Sequence, residues 1–209
     1  MPDRQNVAPT KGNLLGAQKT LKLATLGYEL LDRKRNIMLR ELLPMVERFK
    51  RAGAELTAAY NDAYRALLRA NLSLGVVGGF AHFVPVEESL RITHYSVMGA
   101  ELPRITADKR PFELVYGFLG TNSQLDEAYE RFMRVRELTM RYTELETGLF
   151  RLATAIRATQ RRANALRNIV IPRYTNTAKF ISDALEEKER EEFSRLKVIK
   201  RTRSAGPQD

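Results

Sequence analysis

The chain has 209 residues with no Trp and no Cys, 44% apolar and 29% charged residues, and a net charge of +10 at a pI of about 10.0. Zero Cys excludes a disulfide framework and thiolate chemistry, and the composition suits long exposed helices better than a thick core. The excess charge sits on the outer thirds: 13 basic against 7 acidic side chains in residues 1–74, 4 against 5 in 75–122, and 18 against 13 in 123–209. Such a surface fits nucleic acid, anionic lipid or an acidic protein cavity.

Residues 1–9 read as a flexible lead-in, and the segment Met1-Pro2-Asp3-Arg4-Gln5-Asn6 lacks the apolar core of a secretory signal. Thr10 is placed to cap a long helix over 10–74. From Leu14 onward a seven-residue repeat runs through Leu14, Leu21, Tyr28, Arg35, Leu42 and Phe49 to Ala70, paired with Ala17, Ala24, Leu31, Met38, Met45 and Ala52 to Ser73. Only Arg35 and Ser73 break the pattern. A straight helix drifts by ~20° per heptad, so a repeat this long predicts a left-handed supercoil around a partner helix. Pro44 predicts a local kink and Gly53 a local weakening, neither changing the register. The alanines at 58, 59, 63, 66 and 70 predict a close approach of the partner near the helix end.

Residues 75–122 change character, with glycines at 75, 78, 79, 99, 117 and 120 and prolines at 85, 103 and 111. The apolar window from Leu72 to Val86 is too short to span a bilayer. Within this connector, the run Arg91-Ile92-Thr93-His94-Tyr95-Ser96-Val97, the turn Met98-Gly99-Ala100 and a return over Glu101 to Thr106 predict a β-hairpin. Pro103 marks the return strand as an edge, and an isolated hairpin needs support from the helices or another subunit. Ser123 is placed to cap a second long helix over 123–200, with a repeat through Val135, Leu138, Tyr142, Leu145, Leu149, Leu152, Ile156, Thr159, Ala163, Leu166 and Val170. Beyond Pro172 the apolar phase slips to Ile181, Leu185, Leu196 and Ile199, which predicts a kink there. Residues 201–209 read as a flexible tail. The expected fold is mainly α: one elongated domain of two long helices in an antiparallel left-handed coiled coil, some 90 Å long at ~1.5 Å per residue, with a short hairpin connector.

No catalytic, cofactor or metal constellation stands in the sequence. Gly16-Ala17-Gln18-Lys19-Thr20 lacks the glycine before the lysine and sits within a helix, where a phosphate-binding loop does not form. His82 and His94 have no Cys or carboxylate pair beside them. The carboxylates of Glu186 to Glu192 alternate with Lys188 and Arg190 as helix-face ion pairs do.

Pro9-Thr10-Lys11-Gly12-Asn13-Leu14-Leu15, then Leu30-Leu31-Asp32-Arg33-Lys34-Arg35, and in the second helix Arg161-Arg162-Ala163-Asn164-Ala165-Leu166, Ile171-Pro172 and Glu189-Arg190-Glu191 through Phe193, Arg195, Leu196 and Lys197 to Lys200 resemble the D subunit, the central rotor shaft of the vacuolar-type (V/A-type) rotary ATPases. Lys11 and Ala163 stand where that family commonly has arginine and valine. The resemblance implies a non-catalytic stalk subunit with no cofactor, whose termini lie inside a hexamer of catalytic and non-catalytic subunits. It implies further partners in the F subunit of the central stalk and the ring-connecting C (d) subunit. Such a shaft couples ATP hydrolysis or synthesis to proton or sodium ion transport, is cytoplasmic, touches the membrane only through the complex, and binds no nucleic acid. On this reading Lys11, Arg161, Arg162, Arg195 and Lys197 are hexamer contacts, while Ile92, Tyr95 and Val97 face the F subunit or the ring side. Pro44 and Pro172 are the shaft kinks. The alternative from another class is a basic coiled-coil nucleic-acid binder or adaptor. The basic faces lack interleaved base-stacking aromatics, and phosphate binding would show a steep salt dependence.

Overall fold

The computed structural model describes residues 7–86, 88–108, 113 and 115–204. The first six residues of the expected lead-in, Pro111 of the connector and residues 205–209 of the expected tail lie outside them. The fold is mainly α, with long antiparallel helices and one two-stranded antiparallel sheet. Helix α1 spans Lys11–Leu74, strands β1 and β2 span Arg91–Val97 and Ala100–Thr106, α2 spans Ser123–Ala165, and α3 spans Ile171–Ser204. A short 3-10 segment, Val77–Phe83, follows α1, and a π-helical turn, Leu166–Val170, joins α2 to α3.

The helix ends follow from local chemistry. The Asn13 amide donates to Thr10 Oγ1 at 3.3 Å, so Thr10 caps α1. Gly75 closes it with φ +80°, its amide bonded to the Asn71 carbonyl, because a left-handed residue after the last turn satisfies an orphan acceptor. The cap of α2 is Asn122 and not Ser123: Asn122 Oδ1 accepts from the Leu125 amide at 3.1 Å, and Ser123 is already helical. Helix α1 continues through Pro44, which is exposed, so water can reach the carbonyl that loses its donor there.

The chain forms two compact units: Asn36–Arg157, and Met1–Arg35 with Ala158–Asp209. In the first, the middle unit, Met38 packs with Leu152, Phe49 stacks on Tyr142 at 4.8 Å, and Ala70 packs with Leu125, so the helices run in opposite directions. The buried α1 residues Ala52, Ala63, Ala66 and Ala70 fall on the expected seam, and their small side chains allow close approach. A Cβ at Gly53 would meet the Tyr142 ring at 3.3 Å, so glycine there makes room for an aromatic seam residue.

The hairpin completes this core. Val97 pairs with Ala100 across a two-residue turn in which Met98 (φ 51°) and Gly99 (φ 78°) are both left-handed, the type I′ geometry that matches strand twist. Ala100 and Leu102 pack onto Met38 and Leu152. The other edge of β2 faces α2, where Glu144 Oε2 accepts from the Ile105 amide at 2.9 Å and Arg151 donates to the Glu101 carbonyl. Pro103 lies on that same edge between them, where a missing N–H removes no bond to β1. The hairpin therefore leans on the helices through β2, leaving β1 outermost.

In the terminal unit, Gly27 faces Leu166, Arg167 lies over the Tyr28 ring, and Lys11 pairs with Glu189, again antiparallel. The seam buries Ala17, Ala24, Thr159, Ala163, Thr177 and Ile181. The phase slip expected near Pro172 has a definite cause. The Ile171 amide donates to the Leu166 carbonyl five residues back, a π turn that holds one extra residue just before the proline ring. Ile181, one residue beyond the position two heptads on from Leu166, is then fully buried, while Phe180 is only half-buried. The slip does not extend as expected to Leu196 and Ile199, which are exposed. Helix α1 starts at Lys11, beside Glu189, and offers nothing to cover them.

Leu102→Ala should lower stability by about 2–5 kcal/mol in chemical denaturation, because it opens a cavity under the hairpin. Met98→Asn should raise stability by about 1 kcal/mol, since asparagine tolerates the left-handed turn position better than methionine.

Candidate functional site

The surfaces open to a partner are those the helix pair leaves uncovered. In the terminal unit, α1 exposes Leu15, Leu23, Leu26 and Leu30 outside the seam. Every described residue of α3 from Glu186 onward is exposed, including Phe193 at 69%. Charge concentrates in the same unit. Of the whole sequence, 19 basic and 10 acidic side chains fall in Met1–Arg35 with Ala158–Asp209, against 16 and 15 in Asn36–Arg157. Nearly all of the net +10 therefore belongs to the unit that holds both chain ends.

Lys11 lies 3.0 Å from Glu189, and Arg195 lies 3.7 Å from Glu191, both pairs well exposed. Pairs in such positions are screened and contribute little to stability, so these cations remain available to a partner. Lys197 is exposed on the same stretch of α3. Arg161 and Arg162 are also exposed, but 34 residues separate Arg161 from Arg195, roughly 50 Å along a helix at ~1.5 Å per residue. The five cations named from the sequence therefore do not form a single cluster: Lys11, Arg195 and Lys197 belong to the stretch around Glu189, and Arg161 and Arg162 stand far from it along the helix. Of the hairpin residues, Ile92 and Tyr95 are exposed on β1, whereas Val97 is half-buried against the Met38 and Leu152 cluster and is engaged within the chain.

At the turn-back end of the middle unit, Asn122 Nδ2 donates to Ser73 Oγ at 2.8 Å and brings the end of α1 beside the start of α2. Around that junction Leu72, Val76, Phe118 and Leu119 are exposed, Leu119 at 96%. Val76 also borders an apolar cavity of about 530 Å³ lined by residues including Leu67, Val77, Phe80, Tyr116, Tyr129 and Met133. Tyr116 donates to Asp126 Oδ1 at 2.8 Å. Burial first, and then this carboxylate, push the phenol well above its ordinary value. No periodic signal marks this cluster in the sequence, because Tyr116 and Phe80 come from irregular segments.

One further polar network crosses the helix pair, and in the sequence only Arg35, as a break in the repeat, points to it. Arg35 Nη1 donates to Gln160 Oε1 at 2.7 Å, Arg35 Nη2 pairs with Asp32 at 2.7 Å, and Gln160 Nε2 donates to Asn164 Oδ1 at 2.8 Å. Among the described residues no group of three or more His, Cys, Asp or Glu could hold a metal ion, and His82 and His94 are exposed. No helix there is long and apolar enough to cross a membrane.

A family model described as the D subunit of ATP synthase matches residues 13–201. The chain belongs to that family. It is similar to a V-type ATP synthase D subunit of Thermotoga neapolitana, 42% identical over 93% of this chain and 97% of the relative. It is also similar to the A-type ATP synthase D subunits of Pyrococcus furiosus (37% identical, 96% of each chain) and Methanobrevibacter smithii (35% identical, 94% of this chain and 87% of the relative). The match to the D-subunit family spans both long helices and the hairpin between them.

The Tyr116 environment predicts an alkaline loss of stability. A phenol raised by folding binds its proton more tightly in the folded chain, so its contribution is fully present below the ordinary tyrosine value near ~10 and is lost as pH rises above it. Thermal melts should show the midpoint falling above that pH, with a shallower fall in Tyr116→Phe.

Proposed function

We propose that this chain is the non-catalytic central-stalk rotor subunit of a V/A-type rotary ATPase, coupling ATP hydrolysis or synthesis in the catalytic hexamer to proton or sodium ion transport through a membrane ring. The D-subunit family match along nearly the whole chain supports the stalk assignment. The observation that carries the orientation is the charge asymmetry, with almost the entire positive excess in the unit holding both termini. On this reading that unit enters the hexamer of catalytic and non-catalytic subunits. Lys11, Arg161, Arg162, Arg195 and Lys197 run along an acidic lining, while the exposed leucines of α1 and the uncovered end of α3 offer apolar contact to the same subunits. The apolar turn-back end meets the ring-connecting C (d) subunit, and β1, with Ile92 and Tyr95 outward, lies on the side of the F subunit. The protein is cytoplasmic and reaches the membrane only through the complex.

The mechanical argument is simple. A pair of helices lacks threefold symmetry, so each of three catalytic sites meets a different face of it at any moment. Pro172, preceded by the π turn, sets the bend that makes rotation eccentric, and Pro44 adds a local kink. The chain contributes no reacting group: its work is differential contact, favouring a different conformation at each catalytic site as it turns.

Reconstitution with the hexamer tests this reading. Arg161→Ala/Arg162→Ala/Arg195→Ala should assemble more weakly and lower the ATP-driven ion transport per ATP hydrolysed. Full coupling and native assembly in the triple variant would remove the role assigned to these cations, and purification with nucleic acid in place of a hexameric ATPase would overturn the stalk assignment.

A further inference from the structure

We propose that β1 is a docking edge, to which an extended segment of the F subunit adds as a third strand, bonded through the backbone groups of Ile92, His94 and Ser96. This rests on the placement of the F subunit beside β1 proposed above.

Which backbone groups are open follows from the hairpin register. In an antiparallel pair, facing residues alternate between those that exchange N–H···O=C bonds and those whose N–H and C=O point away from the partner strand. The Ile105 amide donates to Glu144 Oε2, so Ile92 and Ile105 form a pair of the second kind. The pairs His94–Pro103 and Ser96–Glu101 share its parity, and the Glu101 carbonyl accordingly accepts from Arg151. On β1 the amides and carbonyls of Ile92, His94 and Ser96 therefore point outward, ~7 Å apart at every second residue.

The two edges of the hairpin are finished differently. On β2, Glu144 caps the Ile105 amide, Arg151 caps the Glu101 carbonyl, and Pro103 has no N–H to leave open. The edge of β1 has none of the devices that guard a free strand. It pairs residue for residue with β2 without a bulge, contains neither Pro nor Lys, and carries its charged residue, Arg91, at the very start. Edges left this regular pair readily with another strand. Among the described residues the sheet has two strands, and Arg91 to Ser96 are all exposed. Ile92, 57% exposed, and Tyr95, 43% exposed, have opposite strand parity, so a strand laid along the edge has an apolar neighbour on each face.

A second copy of this chain fits the edge poorly. Pairing all three outward residues about a twofold axis sets His94 against His94 and Ile92 against Ser96, an imidazole pair flanked by two apolar–polar mismatches. A foreign strand with an apolar residue opposite Ile92 and polar residues opposite His94 and Ser96 has no such conflict. In additions of this kind the backbone bonds supply affinity and the alternate side chains supply selectivity.

Titration calorimetry of the cognate F subunit into the full-length chain tests the proposal. Replacing His94 or Ser96 by proline removes an outward N–H and leaves the bonds to β2 in place. His94→Ala keeps the amide, so it should bind within about twofold of the unaltered chain. His94→Pro and Ser96→Pro should each weaken binding about tenfold or more, because a partner carbonyl at the closed interface loses its donor. If neither proline variant folds, amide exchange in the unaltered chain decides. Binding of the F subunit should then slow the Ile92, His94 and Ser96 amides and leave Thr93 and Tyr95 unchanged. Native affinity in the folded proline variants, or no slowing at the alternate amides, overturns the strand addition while leaving the F subunit in the stalk. An F subunit that does not bind the unaltered chain overturns its placement beside β1. Self-association of the chain that is lost in His94→Pro gives the edge to a second copy and overturns the proposal as well.

Discussion

Two helices lying side by side offer only one line of burial, and that constraint governs everything else in this protein. A side chain larger than alanine disappears from water most readily where a third element closes over the pair. The middle unit has two such places. The hairpin covers Met38 and Leu152, and the 3-10 segment with the Tyr116 stretch covers Ala70 and Leu125. The terminal unit has no such cover among the described residues, and the side chains fully buried in its seam are correspondingly mostly alanine and threonine, its larger seam residues such as Leu21 and Leu31 being only half-buried. Small seam residues bring the helices together but bury little area, which leaves leucines such as Leu23 and Leu30 facing outward. In the proposed rotor, such a surface is the complement of the subunits that surround it.

The division of labour between the units follows. Apolar packing is strongest where the hairpin and the turn-back end consolidate the pair, and there the charge nearly balances. Where fewer large side chains are fully buried, the net positive charge is concentrated, and a polar contact, Arg35 with Gln160, also joins the helices. In the proposed rotor this is a sensible distribution. Torque needs a stiff middle, whereas the part turning within a ring of subunits needs a surface that binds without seizing. Long-range charge attraction varies gently with rotation angle, unlike interlocking apolar side chains.

Much of this is legible from the residues because a heptad is a strict geometric statement. The buried α1 residues, from Ala17 to Ala70, all fall on the repeat read from Leu14 onward, and the hairpin follows from the β-branched and aromatic run before the Met98-Gly99-Ala100 turn. The illegible parts share a cause, which is dependence on partners distant in sequence or absent from the chain. Leu196 and Ile199 carry the right spacing for a seam, yet spacing cannot reveal that α1 begins too late to meet them. Asn122 and Ser123 are both good caps, and only backbone geometry chooses between them. The Glu144 bond to the Ile105 amide joins side chain to backbone across an irregular connector, where no periodicity operates. Arg35 is visible as an exception, but its meaning depends on Gln160, well over a hundred residues away.

The π turn at Leu166–Val170 has a consequence for how the two ends of this helix relate. One residue added within a helix turns everything after it by ~100° relative to an uninterrupted one. The turn therefore acts as a phase adjuster: a helix whose natural period drifts against its partner is reset in a single step, where a supercoil would spread the correction over several turns. The segments on either side are thereby uncoupled in angular terms. Substitutions that alter the pitch of α2 need not propagate to the face α3 presents, and the basic end of the chain can diversify in pattern without disturbing the seam that precedes it.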